Sequence, residues 1–482
     1  MLTPRPTLSE ETIDRRTLFG RLGGHAGGIG ALALAHLLGS DGLRASPPGK
    51  ARAGLDPAPS HHAPRARSVI CLFQHGGPSQ MDLFDPKPEL ARREGQAYPG
   101  QLEVHFEKQR GNVLGSPFRF ERRGRCGMEL SEILPATGRI ADEITLVRSM
   151  STDSVDHETA LRAIHTGKIL GGRPAWGSWV VYGLGSERQD LPAYVVLSDP
   201  EGLPVDGIRN WSSGFLPAVY QGTRLRAQGS PVFNLAPPES LPESSRARQL
   251  RFLREIDEIH LRARSGESEL EARIRNYELA ARMQTSVPGV LDISDETAAT
   301  RSHYGLDEPR TAEYGTRCLM ARRLVEAGVR FVQVFLGGQP WDTHSKNAAT
   351  LKSLCAMTDG PSAALVEDLK QRGLLESTIV LWTGEFGRLP ISQGKDGRDH
   401  NRHGFSLWIA GGGFRGGYVH GATDDFGYRA VEDVVPVTSL HATLLHALGL
   451  DHERLEYVHD GRPDTLTDAP VTGARVIPEL LA

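Results

Sequence analysis

Six short runs of apolar residues recur along the chain, and they constrain its fold more than any other feature. Each run is rich in Val, Ile, Leu or Phe and gives way to Gly, Pro or polar residues, which predicts a buried strand. The runs are 69–73, 144–147, 193–197, 329–335, 378–382 and 407–410. Helical patterns lie between several of them, most clearly at 243–283 and 315–327. This alternation predicts an α/β fold with a mainly parallel central sheet and helices on both faces.

The part of the chain that follows the N-terminal region reads as one domain. Residues 54–67 are rich in Pro, Ala and Arg, which predicts a disordered linker, and residues 68–482 then form a single domain. Within this domain, the Gly-, Pro- and Ser-rich stretch at about 197–242 predicts an excursion over the surface. The stretch at about 243–285 predicts two helices that break at Ser265-Gly266.

The N-terminus carries the pattern of an export signal. Arg15 and Arg16 precede a mildly apolar stretch at 20–38 that is rich in Gly and Ala. A charged segment followed by a weakly apolar one is typical of a signal peptide, and the arginine pair indicates the twin-arginine type. The apolar stretch is too short and glycine-rich for an integral membrane span. We therefore expect residues 1–53 to be a signal peptide with its cleavage region. The twin-arginine export machinery would then be a partner, and the protein would be periplasmic or extracellular.

The charge balance argues against one class of partner. The 482 residues include 55 Lys and Arg and 59 Asp and Glu, for a formal net charge of −4. No basic stripe of the kind that binds a phosphate backbone stands out in the sequence. A nucleic-acid partner is therefore not expected.

Asp and His residues gather where the predicted strands end. Carboxylates and imidazoles together suit Zn²⁺, Mn²⁺ or Fe, and the carboxyl ends of parallel strands meet at one edge of a sheet. A single Asp-x-His pair is more often a surface loop or a helix cap, but several such groups after buried strands favour a metal site. The candidate ligands of a divalent metal, with Zn or Mn expected first, are His75, Asp342, His344, Asp399, His400 and His403.

Three arginines near these residues are candidates for holding an anionic group. Arg388, Arg398 and Arg402 lie in the same two polar clusters. A guanidinium group matches phosphate or sulfate with two parallel hydrogen bonds. The alternative for each arginine is an ordinary solvated loop charge.

A further polar segment follows the predicted strand at 144–147. Ser151 or Thr152 could serve as a hydroxyl nucleophile, and His157 as a base or a ligand. The Gly-x-Ser-x-Gly signature of serine hydrolases is absent from the sequence.

Several motifs taken together resemble a bacterial family of unknown function, DUF1501. They cover nearly all of the chain beyond residue 67, and their combination is specific. The matching stretches are 76–88, 148–150 with His157, 176–185, 321–331, 341–344 and 384–388. The family itself resembles a branch of the alkaline phosphatase and sulfatase superfamily, so the resemblance implies an alkaline-phosphatase-like fold.

The resemblance also implies a set of metal ligands. Asp342 and His344 resemble the superfamily's Asp and His ligands of one metal ion, and His403 or His400 resembles the last His ligand. Asp342, His344 and His403 would suffice for a catalytic metal with an open coordination position.

The chain departs from the superfamily at the second metal position. His75 stands where the first strand of the hydrolases ends in Asp, Glu385 stands for another Asp ligand, and Phe386 replaces a His ligand. Because phenylalanine cannot bind a metal ion, a two-metal site is doubtful. The nucleophile motif of the sulfatases is also missing from the sequence.

Two functions follow from these observations. The first is a metal-dependent hydrolase of phosphate or sulfate esters that acts on an anionic small molecule or a polysaccharide ester. Glu385 would be a fourth ligand or a general base, and Arg388 would bind the anion. Thr152 or Ser151 would be the nucleophile if the mechanism is covalent. The alternative is a non-catalytic binding or scaffold protein with a degenerate metal site. The clustered donors favour the hydrolase.

Overall fold

The computed structural model describes most of the chain, namely residues 54–227, 242–264 and 268–482. The predicted twin-arginine signal and cleavage region at 1–53 lie outside the described residues. So do residues 228–241 of the predicted excursion and the predicted helix break at 265–266.

Eighteen strands are present in the described part of the chain. They are β1 (Ser68–Phe73), β2 (Arg110–Val113), β3 (Phe120–Arg123), β4 (Met128–Ser131), β5 (Ile144–Ser151), β6 (Tyr194–Ser198), β7 (Thr223–Arg226), β8 (Phe331–Phe335), β9 (Thr378–Thr383), β10 (Gly387–Gln393), β11 (Gly397–Asn401), β12 (Phe405–Ala410), β13 (Tyr418–His420), β14 (Ala422–Thr423), β15 (Ala430–Glu432), β16 (Val435–Pro436), β17 (Glu456–His459) and β18 (Arg462–Thr465). All six strands predicted from apolar runs are confirmed.

Nine of these strands form a central sheet. Its order is β13-β5-β12-β9-β1-β8-β6-β7, and β16 pairs with β5 beside this path. Only β12 runs antiparallel to its neighbours β5 and β9, and the other pairings in the described sheet are parallel. Every residue of β1, β6, β8, β9 and β12 is buried, as expected for a parallel sheet covered on both faces. The predicted α/β fold is confirmed.

Twelve α-helices accompany the strands in the described residues. They are α1 (Gln80–Leu83), α2 (Pro88–Arg92), α3 (Pro135–Arg139), α4 (His157–Thr166), α5 (Trp176–Leu184), α6 (Glu243–Ala263), α7 (Ser268–Leu291), α8 (Ala298–His303), α9 (Ala312–Glu326), α10 (Asn347–Gln371), α11 (Val437–Ala447) and α12 (Ala469–Thr472). Helices α5 and α9 both pack against β8. Among the described helices, none combines the length and the apolar character that crossing a bilayer requires.

Residues 54–67 are ordered against the domain, although their composition predicts a disordered linker. The backbone N–H of Ala58 donates to the carbonyl of Leu184 at 2.9 Å, and the N–H groups of Arg65 and Ala66 donate to the carbonyl of Ala447 at 2.8 and 2.9 Å. These carbonyls belong to the last residues of α5 and α11, where backbone carbonyls have no hydrogen-bond donor within the helix. The segment is thus held by backbone pairing, which its composition does not reveal.

A small antiparallel sheet lies beside the carboxyl edge of the central sheet. Strands β10 and β11 pair directly, with Arg388 opposite His400, and β2 pairs with the other side of β10. This unit follows directly on β9. It therefore brings polar residues of β10 and β11 to the edge where β1, β8 and β9 end.

Candidate metal centre

One carboxylate oxygen lies at the centre of the polar edge. Asp342 Oδ1 is 2.9 Å from His344 Nε2, 3.2 Å from His400 Nε2 and 3.3 Å from His157 Nε2. Arg388 Nη2 donates to the same oxygen at 2.7 Å. The ligand atoms of Asp342 and the three histidines all lie within 4.8 Å of one another. We call these four residues the Asp342 cluster.

Three separate parts of the fold supply the Asp342 cluster. Asp342 and His344 lie in the loop that follows β8, and His400 lies on β11. His157 is the first residue of α4, whose start is fixed by Asp156, since the Asp156 side chain accepts a hydrogen bond from the N–H of Thr159. The cluster therefore depends on long-range packing, because its members are far apart in sequence.

The outer nitrogen of each histidine in the cluster faces an acceptor. The contacts are His157 Nδ1 to Glu385 Oε1 at 2.7 Å, His400 Nδ1 to the carbonyl of Val155 at 2.6 Å, and His344 Nδ1 to Gln393 Oε1. Because a carboxylate or carbonyl oxygen can only accept, Nδ1 must be the donor in each pair. When the ring is neutral, Nε2 then directs its lone pair towards the centre, which is the arrangement of metal-bound histidines.

The acceptor that faces His344 Nδ1 is the amide side chain of Gln393. Gln393 Nε2 donates to Gln109 Oε1 at 2.7 Å, which turns Gln393 Oε1 towards His344. Gln393 could not be identified from the sequence, because a glutamine on a strand carries no metal-site signal by itself.

Burial and charge shift the pKa values within the cluster. Burial alone would raise the pKa of Asp342, but its contacts with the histidine rings and the charge of Arg388 hold it well below its usual range. Burial lowers the pKa of His400 to about 4, so that ring is neutral near pH 7. Burial opposes charge on His157 as well, but the carboxylates of Asp342 and Glu385 beside the ring raise its pKa to about 9.

These residues fit a divalent cation. A lone pair on Nε2 and a carboxylate oxygen repel one another unless a proton or a metal ion lies between them. The buried Nε2 of His157 has no properly aligned hydrogen-bond partner among the described residues, although Asp342 Oδ1 is only 3.3 Å away. A metal ion displaces such protons when it binds, and three imidazoles with one carboxylate match the preferences of Zn²⁺, Mn²⁺ and Fe.

Glu385 orients a histidine in this geometry. Its side chain is fully buried, and Oε1 and Oε2 accept from the N–H of Gly76 at 3.0 and 3.1 Å. Burial would raise the pKa of Glu385, but the hydrogen bond from His157 and nearby positive charge lower it to about 2. The sequence suggested a fourth ligand or a general base. In the structure its oxygens accept hydrogen bonds from His157 and Gly76, because the loop after β1 folds over it.

A second group of donors adjoins the first. His75, His157 and Glu385 offer ligand atoms within 4.8 Å of one another. His75 is fully buried, and neither ring nitrogen has a hydrogen-bond partner in the described structure. Phe386 packs against His157 and His400 with ring centroids 4.8 and 4.6 Å away. This second group shares His157 with the Asp342 cluster, and the apolar ring of Phe386 lies beside it.

Arg388 holds the loops of the site together. It is fully buried and donates to Asp342 and to the backbone carbonyls of Gly76, Gly77, Trp341 and Arg398. Arg398 is equally buried and pairs with Asp82 at 2.8 and 3.1 Å. The sequence made both arginines candidates for gripping a substrate anion, but their donors are directed at the protein. Arg402 pairs with Glu103 at 2.9 Å.

Two predicted ligands lie away from the Asp342 cluster. Asp399 accepts from the N–H groups of Phe106 and His400, both at 2.8 Å. His403 Nε2 is 2.7 Å from Glu103 Oε2. Successive side chains on a strand point to opposite faces, so β11 directs His400 to the cluster and Asp399 away from it. The turn between β11 and β12 carries His403 outward, and His157 takes the third imidazole position instead.

The predicted hydroxyl nucleophiles line a different cavity. Ser151 and Thr152 border a cavity of about 400 Å³ together with Pro436, Thr438 and Thr472. The residues that line it in the described structure do not include the Asp342 cluster. The structure therefore gives no contact between these hydroxyls and the candidate metal position.

Two residues at the open side of the cluster carried no signal in the sequence. The His105 ring stacks on His400 at 5.2 Å between centroids, and Phe106 meets His344 edge-on at 5.2 Å. Phe106 is 41% exposed, and the side chains of Asp342 and His344 are partly exposed. The site thus opens to solvent beside His105 and Phe106, in a segment without strand or helix periodicity.

Comparison with known proteins gives a family match and several distant structural similarities. A family model described as "Protein of unknown function (DUF1501)" matches residues 66–481. No curated protein sequence matches the chain. Similar solved structures include the lipoteichoic acid synthase LtaP from Listeria monocytogenes (8% identity, TM-score 0.32, covering 82% of this chain and 76% of that one). A sulfatase from Pseudoalteromonas sp. is 13% identical with a TM-score of 0.33 and coverage of 81% and 69%. An alkaline phosphatase from the Antarctic bacterium TAB5 is 10% identical with a TM-score of 0.27 and coverage of 72% and 92%.

Proposed function

The chain belongs to the DUF1501 family, whose description names no activity, and we therefore propose its function from its own residues. We propose an exported, metal-dependent hydrolase of a phosphate or sulfate ester, whose metal ligands are the Asp342 cluster. One observation carries this proposal. Three imidazole Nε2 atoms converge on one carboxylate oxygen, while an acceptor holds the Nδ1 of each ring. Export rests on the Arg15 and Arg16 pattern alone.

The donor set favours Zn²⁺ or Mn²⁺ and an anionic substrate. One carboxylate and three neutral imidazoles leave a bound divalent ion with net positive charge. When bound, such an ion polarises an ester oxygen and lowers the pKa of a coordinated water molecule. Because Arg388 and Arg398 serve the protein's own loops, the cation would supply most of the attraction for a small anionic ester or a sulfated or phosphorylated polysaccharide.

The chain's own residues would orient and shield the reacting groups. Arg388 fixes Asp342, and Glu385 fixes His157, so neither ligand needs to reorganise when a substrate arrives. His400 and Phe386 close the inner side, where both are buried. The ester would enter beside His105 and Phe106, where the exposed imidazole of His105 can donate a hydrogen bond to an ester oxygen.

Metal content is the first test of the proposal. The purified protein should hold Zn or Mn at close to one ion per chain, measured by elemental mass spectrometry after dialysis. His344→Ala and His400→Ala should each lose the ion, because each removes a ligand. His403→Ala is the matched control and should keep it, since His403 contacts Glu103 instead. Absence of metal from the wild type after reconstitution, or equal loss in the control, would refute the proposal.

A non-catalytic metal-dependent binding or scaffold protein is the second candidate. The engaged donors of Arg388 and Arg398 and the separate cavity of Ser151 and Thr152 favour it. Turnover of aryl phosphate and aryl sulfate esters separates the two functions. Hydrolysis that His344→Ala abolishes and His403→Ala retains supports the enzyme, whereas stoichiometric metal without any turnover supports the binding protein.

A further inference from the structure

The helical hairpin formed by α6 and α7 exposes an unusual concentration of apolar side chains. Leu250 is 39% exposed, Phe252 61%, Leu253 53%, Ile256 44% and Ile259 61%. These five large hydrophobic residues fall within ten positions of one helix. Single exposed apolar residues are ordinary on a protein surface, but a contiguous group of this kind marks an interaction site.

The exposed residues divide between two sides of α6. Leu250 and Leu253 border the groove between the two helices together with Tyr277 of α7. Arg254 also faces α7, since its Nε lies 3.2 Å from Glu278 Oε1.

Phe252, Ile256 and Ile259 form a stripe on another side of the same helix. They are spaced i, i+4 and i+7, which places them on one helical face. Because α7 lies on the side of Leu250 and Leu253, this stripe points away from the hairpin. We call it the α6 stripe.

The charges of α6 are segregated along its length. The part before residue 255 carries Arg246, Arg248, Arg251 and Arg254 with Glu243, and the part from 255 onwards carries Glu255, Asp257 and Glu258 with Arg262. If two copies of this helix lie antiparallel, the basic part of each meets the acidic part of the other. A membrane surface would instead favour a polar face of uniformly basic character.

We propose that the α6 stripe binds a second copy of this chain, with the two α6 helices antiparallel about a two-fold axis. A two-fold interface uses the same patch on both subunits, so the patch must complement itself. The stripe does so in both respects: Phe252 packs on Ile259 of the second copy, with Ile256 near the axis, and Arg251 faces Glu258 of the second copy. Opposite charges then set the antiparallel orientation.

The oligomeric state of the full chain tests this inference. Light scattering coupled to size-exclusion chromatography, over a hundredfold range of concentration, should show a dimer. The double change Phe252→Ser and Ile259→Ser should weaken dimerisation at least tenfold, while Val471→Ser, which alters a still more exposed apolar residue elsewhere, should leave it unchanged. A wild type that stays monomeric throughout the range would overturn the proposal.

Charge reversal tests the orientation and guards against misfolded variants. Arg251→Glu should weaken dimerisation at least tenfold, because an acidic side chain then faces Glu258 of the second copy. Adding Glu258→Arg to the same chain should restore the dimer, since opposite charges face each other again. A dimer insensitive to every one of these changes, or binding of the stripe to anionic lipid vesicles in place of dimerisation, would contradict the interface.

Discussion

At the edge of the central sheet, Glu385 and Arg388 are charged and fully buried, whereas on the hairpin Phe252 and Ile259 are apolar and 61% exposed. Both regions depart from the usual distribution of polar and apolar groups, but in opposite directions. The buried charges have their partners within the chain. The exposed apolar groups of the α6 stripe remain largely uncovered in the described structure, and the proposed interface with a second copy rests on them.

This difference predicts how much each region contributes to folding. Removing one member of a buried, hydrogen-bonded charge network leaves its partners unpaired in a poorly solvated place, which is costly. Removing an exposed apolar side chain leaves no buried group unpaired and creates no cavity. Substitutions at the two regions should therefore differ strongly in their effect on the free energy of unfolding.

The largest effect is expected for Arg388→Met. This change leaves the Asp342 carboxylate and four backbone carbonyls without their shared donor, so we expect a loss of about 3–5 kcal/mol in the free energy of unfolding. Urea denaturation in the presence of a chelator measures it. Arg402→Met, which removes a partly exposed pair with Glu103, should cost less than about 1 kcal/mol. Similar losses of unfolding free energy in the two variants would contradict the expected difference between the buried and the partly exposed arginine.

An intermediate effect is expected for Glu385→Gln. The amide keeps the shape of the side chain but removes the negative charge that holds His157 Nδ1–H. Outer partners of metal-bound histidines typically contribute about 10–100-fold to metal affinity, and we expect a loss in that range. Competition with a chromophoric chelator gives the dissociation constant. Glu103→Gln, which contacts His403, is the control, and an affinity unchanged in Glu385→Gln would argue that His157 is not a ligand.

The smallest effect on folding is expected for Phe252→Ser. Because the side chain is mostly exposed, the free energy of unfolding of the monomer should change by less than about 0.5 kcal/mol. Denaturation at concentrations where the chain is monomeric measures this value. A loss above about 2 kcal/mol would show that Phe252 packs within its own chain, and the contrast between the two regions would fail.

The strands were the most predictable part of the molecule. The six apolar runs became strands because central strands of a sheet that is covered on both faces need nearly continuous apolar sequence, which is a local signal. The β10–β11 hairpin could not be predicted in the same way. Its buried residues include Arg388, Arg398, Asp399 and His400, and β11 contains no apolar residue that would indicate a buried strand.

The sequence predicted the types of ligand residue, Asp and His, but only some of the individual residues. Asp342, His344 and His400 were among the candidates, and the structure brings them together. His403 was preferred over His400 from the resemblance, and His157 was only one option in a weak cluster. A sequence cannot rank histidines three residues apart when one lies on a strand and the other on the turn beyond it.

The sequence by itself determined the α/β class, the family and the concentration of Asp and His near the ends of strands, because these depend on local composition and spacing. Only the tertiary structure decided that His157 completes the cluster, that Glu385 and Gln393 orient its rings, and that Arg388 serves the protein's own loops. Those roles depend on which way each side chain points and on a few ångströms between segments far apart in the chain. Strand pairing and loop closure set such distances, and no local pattern records them.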